Sequence, residues 1–335
     1  MDLRNVINWE IPEGVVIKVT DSNGVVIWNK GNNEPDLPDL PTPLANEIYY
    51  TSTDGNIVEL STDYSGVQPI SNTYENGIGK MVFSLSPEYH PIETLEWNMF
   101  SRKINLKTIR LPNSITTIEE TVFYNCKNLE KVNIPTNLEH IGNMCFVGCE
   151  KLKSLTIPTT ISSIGKQPFN LNIQITSNSD RFVIENDCLV DKENNKLIQG
   201  LVNKINYSYQ IPNDIVTIFN DAFDGCDKIV SVYISEGVKY INERAFAECH
   251  ALESITFPST IKSIGYMCFY YTTHIKNITC KAMYAPDING SFYFPTNSSI
   301  TEKYLYIPTG AKNYDSDDWK SEVLDKGFEL QYITE

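Results

Sequence analysis

Apolar residues recur along this chain at one fixed interval. Phe100, Phe123, Phe146 and Phe169 stand 23 residues apart, and Leu106, Leu129 and Leu152 open three units of that same length. Ile109, Val132 and Leu155 repeat the step, and each unit continues with a second apolar pair: Ile115/Ile118, Leu138/Ile141, Ile161/Ile164. A period kept this strictly marks one supersecondary unit that cannot bury its apolar face alone, so like units stack and share a core. Within the unit, L-x-x-I-x-[LI]-P is a short strand: Leu106, Ile109 and Leu111 face inward, and Pro112 closes it where no ladder donor is needed. The expected fold is mostly β, a solenoid of 23-residue coils with irregular N- and C-terminal caps and a small N-terminal β unit.

The register breaks once. Phe169 to Phe223 is 54 residues, two periods plus eight, and the excess around residues 187–198 reads as a hairpin with a polar tip that stays in the sheet while its turn projects. Phe223, Phe246 and Phe269, with the openers Ile229, Leu252 and Ile275, restore the period, which decays after Thr279. Ahead of the coils, residues 47–50, 56–60 and 80–83 read as strands of a cap. Beyond them, residues 316–326 read as a short helix whose Trp319, Val323 and Leu324 cover the last coil.

At the N-terminus two β-branched runs flank Asn23-Gly24, a hairpin signal. Two strands alone are marginal in water, so Val15, Ile17, Val19, Val25, Ile27 and Trp28 are candidates for attachment to another protein or to further copies of this chain, a homo-oligomer. The expected division is a β attachment or oligomerisation unit over 1–30 and a proline-rich linker over 31–45. An N-terminal cap with the first irregular coil follows over 46–105, then the repeat solenoid over 106–280 with its hairpin insert at 173–205, and a C-terminal cap over 281–335.

Composition adds exclusions. A formal net charge of −15, with no Lys/Arg cluster, argues against nucleic acid and against an anionic membrane as partner. The first residues lack the basic start, apolar stretch and small-residue cleavage site of a secretory signal, so the expectation is either a protein kept in the cytoplasm until lysis or an extracellular or cell-surface one whose signal has been removed. Four of the eight cysteines, Cys126, Cys149, Cys226 and Cys249, hold one repeat slot that Asn172 and Thr272 fill elsewhere, as expected of small buried fillers carrying free thiols.

Catalytic signatures are sparse: no G-x-S-x-G, Walker loop or H-E-x-x-H occurs, and the four histidines, His90, His140, His250 and His274, lie in different coils. No catalytic, metal or cofactor site is expected. The acids around Asp187/Asp191/Glu193 and Asp315/Asp317/Asp318 lack a calcium-loop pattern and read as solvated turns. What remains is a surface. Strand alternation turns outward Thr108 and Arg110, Lys131 and Asn133, Ser154 and Thr156, Ser231 and Tyr233, Ser254 and Thr256, and Asn277 and Thr279, a small, polar, nearly uncharged ladder suited to a protein or a glycan. Tyr207, Tyr209, Tyr270 and Tyr271 are further exposed-aromatic candidates.

The units LESITFPSTIKSIGYMCFYYTTH and IVSVYISEGVKYINERAFAECHA resemble the repeat of the BspA-like leucine-rich repeat family, and the flanking pieces are similar to that family as it occurs in gut Bacteroidales, together spanning residues 46–335. The resemblance implies a non-enzymatic adhesin or binding protein without a fixed ligand, often secreted. Joined to the missing leader and the N-terminal hairpin with its spacer, it suggests an accessory component of a tailed-phage virion, a fibre or decoration that meets a host-surface protein or glycan. The alternative is a secreted or cell-surface bacterial adhesin.

Overall fold

The computed structural model describes residues 17–20, 26–30, 40–84, 91–201, 207–288, 290–293, 300 and 302–334. The chain forms two compact units, Met1–Asp39 and Leu40–Glu335. In the first, strands Ile17–Thr20 and Val26–Lys30 pair antiparallel, with Val19 opposite Trp28 and a register shift beyond it. Val15 and Val25 lie outside the described residues.

The second unit is a β-solenoid of about ten turns, with only about 3% helix. Most coils contribute one longer strand and one two-residue strand, and the coils stack as parallel ladders, the short strands in two sheets and the longer ones in three. His140 pairs with Thr117 on one side and Ser163 on the other, and Tyr240 likewise bridges Thr217 and Ser263, so like positions lie over like. The phenylalanines form two columns of stacked, buried rings. Phe100, Phe123, Phe146 and Phe169 follow one another at 5.6, 5.3 and 6.1 Å, and Phe223, Phe246, Phe269 and Phe292 at 5.0, 5.7 and 4.9 Å. The turn around each ring needs a left-handed residue. Asn98, Thr121, Met144 and Gln167, then Asp221, Arg244, Met267 and Gly290, all have positive φ at the 23-residue spacing. Where coils approach closest no Cβ fits: one added at Gly142 would lie 2.4 Å from the Glu119 carbonyl carbon.

The insertion is a three-stranded antiparallel meander, Phe182–Glu185, Cys188–Asp191 and Lys196–Gly200, that joins the short-strand ladder through Leu197 opposite Ile218. Its middle strand is buried on both faces. Cys188 and Val190 belong to the core of the following coils, Leu189 to that of the preceding ones, so the insert is an internal wall between two apolar cores. The tip, residues 192–195, and Asn186 in the first turn are exposed.

Gln199 closes the joint. In an ordinary coil the Phe N–H donates to the next coil, as Phe146 N does to the Pro168 carbonyl. Phe169 has the meander after it instead, and the buried Gln199 amide replaces the missing coil: its Oε1 accepts from Phe169 N (3.2 Å) and its Nε2 donates to Phe169 O (2.8 Å). On the far side Gly200 leaves room for the Phe223 ring, which a Cβ would meet at 2.3 Å.

Both ends are capped. Strand Glu47–Ser52 pairs antiparallel with Leu106–Arg110 and with Ile78–Val82, which in turn carries Ser71–Glu75. The strand expected over residues 56–60 is irregular, because its polar groups go to side chains: Val58 N donates to Tyr50 Oη, and Asn72 Nδ2 donates to Val58 O. At the other end the helix is Asp317–Glu322 followed by a 3-10 turn, shorter than the sequence pattern, and it buries Trp319 against Phe292 while the indole donates to Pro286 O. A last strand, Phe328–Ile333, then pairs parallel with Lys303–Pro308.

Candidate functional site

The outward ladder does not form one surface. Its residues fall on three separate sheets. Two of them are not on a surface at all. Thr108 is buried because the antiparallel cap strand lies against it, with Thr51 Oγ1 at 2.6 Å. Asn133 is buried because its amide grips the Leu111 backbone, accepting from Leu111 N (2.7 Å) and donating to Leu111 O (3.0 Å). Arg110 is half-buried and donates to Leu40 O, and Lys131 is half-buried beside it. Ser154 is exposed and Thr156 bonds Thr176 across the two-stranded sheet. Tyr209 belongs to the core, its hydroxyl held between Cys188 Sγ and Asn186 O; the Tyr207 side chain lies outside the described residues.

The remaining six, Ser231, Tyr233, Ser254, Thr256, Asn277 and Thr279, do come together. They form two rows across the six-stranded sheet Tyr207–Gln210, Ile229–Tyr233, Ser254–Phe257, Asn277–Cys280, Lys303–Pro308 and Phe328–Ile333. One row runs Ser208, Ser231, Ser254, Asn277, Tyr304, Glu329 and the other Gln210, Tyr233, Thr256, Thr279, Tyr306, Gln331. The alternate residues Val232, Ile255, Ile278 and Leu305 are buried beneath. Lys281 borders the rows, its Nζ donating to Tyr233 Oη (2.9 Å) and lying 4.8 Å from that ring's centre. Tyr304 and Tyr306 stand 6.0 Å apart on adjoining rows. These two were missed because the 23-residue period has decayed there; the alternation in Tyr304-Leu305-Tyr306-Ile307 was the available signal.

Among the described residues, Cys249 and the histidines form no comparable group. Cys249 is buried, while the adjacent His250 is exposed with Nδ1 on Tyr271 O, and His140 and His274 bond local hydroxyls. His90 lies outside the described residues. No group of three or more His, Cys, Asp or Glu among the described residues is placed to hold a metal ion. Asp191 is occupied structurally, clasped by Arg181 Nε and Nη2 at 3.0 Å each and by Asn194 Nδ2 at 2.8 Å.

A model of the BspA-type leucine-rich repeat region matches in six copies over residues 87–189 and 203–311, well over half of the chain. The chain belongs to the BspA-type leucine-rich repeat family. Solved structures similar to this BspA-type protein include a leucine-rich cell surface protein from Faecalibacterium prausnitzii A2-165, at 18% identity over 87% of this chain and 95% of that one with a TM-score of 0.43. A leucine-rich repeat protein from Eubacterium ventriosum matches at 16% over 70% of this chain and 68% of that one, TM-score 0.49. The pneumococcal vaccine antigen PcpA matches at 17% over 83% and 90%, TM-score 0.42. No curated protein sequence matches the chain.

The conserved-slot cysteines of this BspA-type protein have a polar task beyond filling space. Cys126, Cys149 and Cys249 each donate Sγ–H to the carbonyl of the preceding coil's phenylalanine, at 2.9–3.1 Å, and Thr272 does the same through Oγ1 at 2.8 Å. Burial pushes these thiols up, Cys126 to about 12, which leaves them unreactive. The exchange of Cys for Thr in one slot follows from the shared donor. Cys249→Thr is accordingly expected to keep stability within about 1 kcal/mol, whereas Cys249→Val removes one of the two bonds to the Phe223 carbonyl, which keeps Cys226 N, and costs about 0.5–1.5 kcal/mol more in urea unfolding. Equal losses in the two variants would contradict the hydrogen-bonding role.

Proposed function

We propose that this chain is a non-enzymatic recognition protein whose binding face is the open side of the six-stranded C-terminal sheet. The observation that carries the reading is the pair of unbroken rows across six strands, made of hydroxyls, amides and tyrosine rings with Glu329 as the sole acid. Such a face offers many directional hydrogen bonds with little charge to desolvate, and Tyr supplies large contact area at low entropic cost. Its ligand is a protein or glycan on a cell surface. The Met1–Asp39 unit attaches the solenoid to a larger carrier, the sequence organisation favouring a virion over a bacterial envelope.

The test is an array of surface glycans and proteins probed with the wild-type chain and with a Tyr233→Ser/Tyr306→Ser variant. Every genuine signal should fall at least about tenfold in the variant, since each truncated interface tyrosine is worth about 1 kcal/mol or more. Signals unchanged by both substitutions would place recognition elsewhere. Recovery of the native protein with purified particles rather than with cell envelopes identifies the carrier as a virion, and the opposite partition rejects it.

A further inference from the structure

A repeat protein carries its own controls: a slot that most coils fill without an aromatic ring has no structural need of one. Three neighbouring slots turn aromatic together only in the last coils. The Tyr266 slot holds Glu120, Asn143, Lys166, Asn220 and Glu243 in other coils, with Trp97 in the first as the exception. The slot shared by Tyr270 and Tyr293 holds Ser101, Val147, Asn170, Asp224 and Ala247 elsewhere, with Tyr124 the other aromatic. In the third slot Tyr271 takes φ +55°, a left-handed position that Arg102, Asn125, Gly148, Gly225 and Glu248 fill in other coils at +61°, +56°, +75°, +71° and +53°.

Three of the rings form one cluster, and Tyr266 stands at the adjoining turn. Tyr270 lies 4.5 Å from Tyr271 and 5.7 Å from Tyr293, and Tyr266 packs beside Gly290. Tyr266, Tyr271 and Tyr293 are 51, 47 and 57% exposed, far more than the phenylalanines of the same coils. This patch lies in the turns that follow the short strands, apart from the longer-strand sheet assigned to recognition above.

Its surroundings are acidic. Glu243 and Glu248 occupy the Tyr266 and Tyr271 slots one coil earlier, both exposed; Glu248 already pairs with Arg244 Nη2 at 3.5 Å, which leaves Glu243 as the carboxylate open to a partner. On the other side the Glu322 carboxylate accepts from the backbone N–H groups of Gly290, Ser291 and Phe292. The patch already holds one cation within the chain, the Arg244 guanidinium 5.3 Å from the Tyr270 ring centre. Tyrosine faces attract cations through the ring quadrupole, and a chain of net charge −15 steers basic partners toward it. A neutral glycan would use the rings and leave the carboxylates idle.

We infer that Tyr266, Tyr270, Tyr271 and Tyr293 form a second docking surface, for a lysine- or arginine-rich segment of a partner protein, with guanidinium or ammonium groups on the ring faces and Glu243 beside them. The test is fluorescence anisotropy of a labelled hexa-arginine peptide with the full chain at roughly physiological salt, where weak unspecific attraction is screened. The comparison variant takes each residue from another coil's equivalent slot: Tyr266→Asn, Tyr271→Asn and Tyr293→Ser. It leaves the net charge unchanged, and an unchanged melting temperature confirms its fold. The affinity is expected to drop at least about tenfold in the variant, from three cation–π contacts of about 0.5–1 kcal/mol each. Equal affinity in the two proteins, or no binding to either, overturns the proposal, and so does ring-dependent binding of a neutral oligosaccharide without binding of the peptide. Because the array test substitutes only Tyr233 and Tyr306, failure of one site is distinguishable from failure of the other.

Discussion

Phe246→Ala should lower the unfolding free energy by about 3–5 kcal/mol, the usual cost of deleting a fully buried aromatic ring. The ring sits between Phe223 at 5.0 Å and Phe269 at 5.7 Å, both nearly parallel to it, so its removal opens a gap inside a column and not at an end. Neighbouring coils are held by their own backbone bonds, Phe223 N to Ala245 O and Phe246 N to Cys268 O, and cannot close together to fill it. Because the meander divides the interior into two cores, the loss should fall first on the coils after residue 200. Urea unfolding followed by proteolysis should show those coils opening while Phe100–Phe169 stays protected. A loss below about 1 kcal/mol would mean that the column is not packed as described.

Arg181→Met should cost about 3 kcal/mol, the lower end of what is lost when a buried ion pair keeps only one partner. The Asp191 side chain is 2% exposed and Arg181 is one-third exposed, so the carboxylate bears most of the penalty. Burial alone would raise the Asp191 pKa, and the hydrogen bonds and charge of Arg181, with help from Asn194, outweigh it and hold the group below the usual carboxylate value. A depressed folded value stabilises the protein above the unfolded carboxyl pKa of about 4, and that contribution is lost as pH falls through the folded value. In the variant the buried carboxylate lacks its cation, so its deficit should be largest near neutrality, shrink as pH falls, and disappear only below the depressed wild-type value, where both proteins carry a neutral carboxyl. A deficit independent of pH would assign the effect to lost packing against Phe182, over which the guanidinium lies at 4.8 Å.

The stacking register was legible because burial is repeated: each inward Phe, Ile and Leu recurs at 23 residues, and no other period fits Phe100 through Phe169. What was not legible are places where a side chain does backbone work. Asn133 and Gln199 look like surface amides in sequence, yet each satisfies a main-chain donor and acceptor that the ladder leaves open. Their partners, Leu111 and Phe169, lie 22 and 30 residues away, and pairing at that range leaves no local pattern. Thr108 was misplaced because the strand that covers it runs antiparallel from outside the repeat. The edge strands Ser71–Glu75 and Phe328–Ile333 carry polar or alternating residues on one open side and so lack a strong apolar signal. Within the candidate site, strand alternation located the rows as far as Thr279 and stopped where the period stops, leaving Tyr304 and Tyr306 to the coordinates.

Both proposed surfaces depend on coils piled so that each phenylalanine amide is bonded to the next coil. Residue-resolved hydrogen exchange tests this directly at Phe100, Phe123, Phe146, Phe223, Phe246 and Phe269, whose N–H groups donate to the carbonyls of Val122, Cys145, Pro168, Ala245, Cys268 and Ser291. Slow exchange at all six, recurring at 23-residue intervals on both sides of the meander, is the expected result. Exchange at these amides at the rate of an unprotected peptide would contradict the stack and, with it, the surfaces built on it.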